Sequence, residues 1–140
     1  TQQMNRNVDY GGVSDNQLRA LEHAGRQPPK KPACSSARSW LQANCAHCHL
    51  PGGPAPTTID LRAEVPASAM NVCDAIPQHG DLGVSGARLL RPGHAEDSVL
   101  WLRAAIRGDE AQMPPLGTLI PDPLGDGVLA AWIESLSSCP

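Results

Sequence analysis

Asn44-Cys45-Ala46-His47-Cys48-His49-Leu50-Pro51-Gly52-Gly53 contains a Cys-x-x-Cys-His run, the attachment signal of a c-type haem. The spacing has a physical reason. Two thiols three positions apart at a helix end can reach the two vinyl groups of one porphyrin and form thioethers. The next residue, His49, then lies where its imidazole nitrogen can bind the iron. The residues therefore point to one haem c per chain, held covalently by Cys45 and Cys48 and ligated by His49. A redox dithiol would need a βαβ context, which the surrounding sequence lacks. A zinc site could draw on Cys45, Cys48 and two of His47, His49, His79 and His94, but the chain has no second closely spaced ligand pair.

The composition fits a bound apolar body. The 140 residues are 41% hydrophobic yet only 3% aromatic, and phenylalanine is absent. Trp40, Trp101, Trp132 and Tyr10 are the only rings of that class, so the core is thin for its length. A porphyrin would supply the missing flat mass. No run of about 18 apolar residues occurs, so no membrane span is expected. The net charge of −3 gives no footprint for nucleic acid. The chain opens Thr1-Gln2-Gln3, so any export signal is expected to lie outside this sequence.

The charge is uneven. Residues 1–33 carry a net +2 and residues 34–140 a net −5, and both lysines, Lys30 and Lys31, fall in the first part. The change coincides with Gln27-Pro28-Pro29-Lys30-Lys31-Pro32, an extended linker by composition. Two parts are expected: an appendage or inter-domain linker over 1–33, and a haem domain over 34–140. Ser14 with Gln17 forms a capping-box pattern, which predicts a short helix over 14–24. Further helices are expected at 35–46, 95–107 and 122–137. A shorter helix fits 67–74, and an extended piece fits Arg88-Leu89-Leu90. Most of the stretch from Leu50 to Gly93 should be Pro/Gly-rich loop wrapped around something. The class is all-α, with three to four main helices and negligible strand signal.

An iron held by His49 needs a sixth ligand or an open site. Met113, 64 residues beyond His49, opens Met113-Pro114-Pro115-Leu116. The two prolines would pin a thioether sulfur at the iron with little entropy loss, and sulfur opposite imidazole raises the potential. Met70, His79 and His94 are the competing ligands.

The sequence after the linker resembles the class I c-type cytochromes. The resemblance is to the mono-haem domains attached to periplasmic dehydrogenases of the quinoprotein type. It is carried by the Cys45–Gly53 run, Asp81-Leu82-Gly83, Pro92-Gly93-His94-Ala95-Glu96-Asp97-Ser98-Val99-Leu100, Met113-Pro114-Pro115-Leu116 and Trp132-Ile133-Glu134-Ser135-Leu136. It implies a cytochrome c-like fold in which the first and last helices cross and cup the haem, with Trp40 and Trp132 near the crossing. The long stretch between His49 and the 95–107 helix, with Cys73 in it, is not given by the family.

Two thioethers leave Cys34, Cys73 and Cys139 of five cysteines. Cys139 can pair with Cys73, which would pin the long loop, or with Cys34; three free thiols are the other reading. Covalent haem and disulfides both belong to oxidising compartments, so a periplasmic or secreted location is expected. Propionates need donors. Arg88 and Arg91 are candidates, with Trp101 and Arg62 behind them, and Pro114 and Leu116 are expected in the pocket. Arginines solvated at the surface are the bland alternative. The part after the linker has no lysine, and Asp109 and Glu110 sit beside Met113, so the redox partner should be neutral or basic there, or tethered. The expected role is electron transfer without turnover, from a dehydrogenase domain or partner to a terminal acceptor. The alternative is a peroxidase or gas-binding haem domain with a labile distal ligand. A two-haem peroxidase is excluded, because the attachment run occurs once.

Overall fold

The computed structural model describes residues 7–10, 13–16 and 33–140. The chain separates into two compact units, Thr1–Lys31 and Pro32–Pro140. In the first, strands β1 (Asn7–Tyr10) and β2 (Val13–Asn16) pair antiparallel, with Tyr10 opposite Val13. This corrects the helix expected over 14–24: residues 14–16 are extended, and 17–24 lie outside the described residues. These two four-residue strands are the only strands among the described residues. The register leaves two residues, Gly11 and Gly12, between the strands. A Gly-Gly pair at that spacing is a hairpin signal, and it outweighs the capping box.

Three α-helices build the described part of the second unit: α1 (Ala33–Asn44), α2 (Val99–Ala105) and α3 (Pro123–Glu134). Helix α1 buries Ala37 and Leu41, four positions apart on one face. Helix α3 starts at Asp122, whose side chain accepts from the Gly125 N–H (3.1 Å), and Pro123 occupies the first turn. Leu129, Trp132 and Ile133 form its buried face and meet α1 in one apolar core with Leu61, Met70 and Leu90. The two helices pack closely because Gly125 has no side chain. A Cβ there would fall 2.0 Å from Trp40 Nε1. The same indole N–H donates to Asp122 Oδ2 (2.9 Å), so the start of α3 is tied to α1 at that point.

Two expected helices are shorter than their apolar periods suggest. Over 95–107 a 3-10 turn at Ala95–Asp97 precedes α2, and Ser98 between them is extended. Ser98 is fully buried; its hydroxyl donates to the His94 carbonyl (2.7 Å) and accepts the Arg91 N–H (2.9 Å). Its backbone bridges Arg88, and that tertiary pairing interrupts the helix. The helix expected at 67–74 is only a 3-10 turn, Ala67–Ala69. Asn71 and Asp74 adopt φ of 58° and 53°, and Cys73 pairs in parallel with Leu90.

The long loop is anchored at several points. Cys73 and Cys139 form a disulfide, with Cα atoms 5.7 Å apart. The side chain of the alternative partner, Cys34, lies outside the described residues. Arg38 reaches from α1 to donate to the carbonyls of Arg62 (2.6 Å), Ala63 (3.2 Å) and Val65 (2.5 Å), and to the Met70 sulfur. This buried guanidinium satisfies carbonyls that a loop packed on a helix would otherwise strand.

Candidate cofactor site

Helix α1 does not stop cleanly at Asn44. The N–H groups of Cys45 and Ala46 both donate to the Leu41 carbonyl, and those of Cys48 (3.1 Å) and His49 (2.9 Å) return to the Cys45 carbonyl. The Cys-x-x-Cys-His run is therefore wound as turns on the end of a helix whose inner face is buried. The chain then folds back. The Ala55 N–H donates to the Cys48 carbonyl (3.3 Å), and the Leu61 N–H to the His49 carbonyl (2.9 Å). Gly53 is required for that return: a Cβ there would sit 2.4 Å from the Cys48 carbonyl oxygen.

A cavity of about 330 Å³ opens beside this turn. Cys45, His49 and Met113 all line it, together with Trp40, Leu41, Leu61, Leu89 and Leu100. Its volume falls at the lower end of small-molecule and cofactor pockets, and its lining is mostly apolar with few polar groups. The polar side chains include His79 and Arg103. Cys48 does not border the cavity and is half-buried.

His49 Nδ1 lies 3.3 Å from Thr57 Oγ1, so one ring nitrogen has a hydrogen-bond partner that fixes the ring and Nε2 is left for a metal. Burial, with His47 nearby, lowers the His49 pKa, which keeps the imidazole neutral as ligation needs. Burial, with Cys48 adding to it, pushes the Cys45 thiol up to about 12. A reactive dithiol needs the opposite shift. A thiol consumed in a thioether needs none. The apolar lining, the oriented imidazole of His49 and the thioether sulfur of Met113 are a set of groups that fits a haem.

The other expected pocket residues lie elsewhere. Arg62 forms a bidentate pair with Asp60 (2.9 and 2.7 Å), and this pair holds the Asp60 carboxyl below its ordinary range. Arg88 pairs with Asp74 (3.6 Å) and Arg91 with Asp97 (2.7 Å). None of the three borders the cavity, and each is paired with a carboxylate. The Trp101 indole N–H donates to the Asp126 carbonyl (3.1 Å) and joins α2 to α3. Pro114 accepts two hydrogen bonds within its loop, and Leu116 is 83% exposed; neither lines the cavity. Met70 is buried against Arg38 in the core, away from the cavity lining. His94 is exposed and pairs with Glu96 (3.4 Å), whereas His79 does line the cavity.

Sequence reasoning missed Thr57, Arg103 and Gln112. Gln112 braces the Met113 loop: its amide oxygen accepts the Gly108 N–H (2.8 Å), and its Nε2 donates to the Pro114 carbonyl (3.1 Å). No motif announces such residues: Arg103 reaches the His79 carbonyl, 24 residues away, Gln112 bonds backbone groups of its own loop, and Thr57 meets the His49 ring. Comparison with protein-family models, curated proteins and solved structures yields no match.

Proposed function

We propose that residues 34–140 are a c-type cytochrome domain that carries single electrons. Cys45 and Cys48 would hold one haem c by thioethers, with His49 and Met113 as axial ligands. The observation that carries the reading is that Met113, 64 residues away in sequence, lines the same apolar cavity as Cys45 and His49. When bound, the haem supplies an iron that accepts and releases one electron. The protein's part is to hold and shield it. Thr57 orients the His49 ring, the leucine-lined wall excludes water, and the Gln112 amide holds the Met113 segment. A soft sulfur opposite imidazole favours reduced iron. The electron source would be a dehydrogenase domain or partner, and the sink a terminal acceptor. The disulfide supports a periplasmic or secreted setting.

Acidified-acetone extraction of the purified protein should leave the colour with the polypeptide. Replacing Met113 by Ala should remove the weak sulfur-to-iron charge-transfer band of the ferric form and open the iron to small ligands. Loss of pigment on extraction overturns the covalent haem. An unchanged band in Met113→Ala assigns the second ligand elsewhere. Substantial peroxide turnover by the intact protein would move it to the peroxidase class.

A further inference from the structure

We propose that Arg103 is a positioning residue for Met113: its guanidinium latches the Met113 segment to the cavity wall that carries His79 and so keeps the cavity closed to small outside ligands. The inference rests on the cytochrome reading above and adds a residue to it.

Arg103 lies in the last turn of α2 and lines the cavity. Helix α2 ends at Ala105, so the Arg103 carbonyl is among the last four, which have no partner within the helix. The Met113 N–H takes it (2.8 Å). The guanidinium of the same residue then makes two further ties. Nη1 donates to the Ala111 carbonyl (3.1 Å), two residues before Met113. Nη2 donates to the His79 carbonyl (2.5 Å), on the 75–80 stretch that forms another part of the wall. One side chain therefore joins two loops far apart in sequence, on both of which cavity-lining residues sit. Its planar fork suits two carbonyls at once, which a lysine ammonium on a flexible stem does less well. The sequence places Asp109 and Glu110 beside Ala111, yet the guanidinium hydrogen-bonds to neither of them; its partners are backbone carbonyls, so it acts as a clamp and not as half of an ion pair. The backbone tie from Met113 survives any change of side chain, so substitution isolates the clamp.

The test is Arg103→Leu in the holoprotein, with Arg103→Lys as the conservative variant. Imidazole should bind the ferric Arg103→Leu protein at least ten-fold more tightly than the parent, and the sulfur-to-iron band should weaken. Arg103→Lys should fall between them, and it serves as the readout if Arg103→Leu does not load haem. Amide exchange gives a second readout that requires no added ligand: residues 108–113 and 75–80 should both exchange at least ten-fold faster. A residue that merely supports the fold would lower the thermal midpoint while leaving imidazole affinity within two-fold of the parent and the two segments protected. That result overturns the latch. Absence of haem or of the sulfur band in the parent protein overturns the cytochrome reading instead, and the exchange measurement still decides whether Arg103 ties the two loops.

Discussion

The two sides of the cavity are held by different forces. His49 sits on turns that continue α1, and the inner face of that helix, Ala37 and Leu41, is fully buried. Met113 sits in a loop whose following residues turn outward: Leu116, Leu119 and Ile120 are 83%, 92% and 74% exposed. Apolar burial anchors the histidine side, and polar braces from Arg103 and Gln112 hold the methionine side. Burial is shared across the core and is lost only on global unfolding, whereas a braced loop opens locally at lower free energy. An iron held between two such walls would keep its histidine more firmly than its methionine.

The largest expected break in this comparison comes from the close approaches on the histidine side. Gly53→Ala and Gly125→Ala each force a methyl group into space already filled by the Cys48 carbonyl or the Trp40 ring. Each should cost about 1–3 kcal/mol, the usual penalty of overpacking. Denaturant titration checks it, and a loss under about 0.5 kcal/mol for Gly53→Ala would show that the turn after Cys48 yields easily.

A smaller effect is expected at the junction where the methionine loop re-enters the core. Asp126 lies in the first turn of α3, and burial raises its pKa above the ordinary carboxyl value. One of its oxygens and Arg107 Nε are buried without a partner. A raised folded-state pKa means that the folded chain binds the proton more tightly than the unfolded one. Stability therefore falls as pH rises from about 3.9, the unfolded value, through the folded one, and the full penalty is present at neutral pH. Asp126→Asn should raise the thermal midpoint at neutral pH, and the gain should vanish below the ordinary aspartate range. A gain that persists unchanged in acid would assign the effect to packing.

The smallest effect sharpens the contrast. Leu119→Lys places a charge on a side chain that is 92% exposed and should change unfolding free energy by less than about 0.5 kcal/mol. A larger loss by denaturant titration would mean that the loop shares the core after all.

Local chemistry decided what could be read from the residues. The Cys-x-x-Cys-His run is legible because its meaning lies in a spacing of three along a single turn. Asp122-Pro123 marks the start of α3 because a cap and a proline act on the nearest N–H groups. The Gly11-Gly12 signal was equally local, and a capping-box pattern obscured it. Helix length was not local. Ser98 is extended because it is buried and bridged to Arg88, and no period in the 95–107 stretch records that partner.

Tertiary structure alone decided which charged and polar groups meet the cavity. By sequence, Arg62, Arg88, Arg91 and Arg103 are interchangeable cations in or beside the same loops. In the fold the first three pair with Asp60, Asp74 and Asp97, and Arg103 reaches the cavity wall. Likewise Cys139 could pair with Cys73 or Cys34 by sequence; the disulfide joins residues 66 apart because folding brings their Cα atoms within 5.7 Å. A spacing along one turn is set by backbone geometry and is written in the order of residues. A partner across the molecule is set by which segments share a buried face, and that depends on the packing of the whole unit.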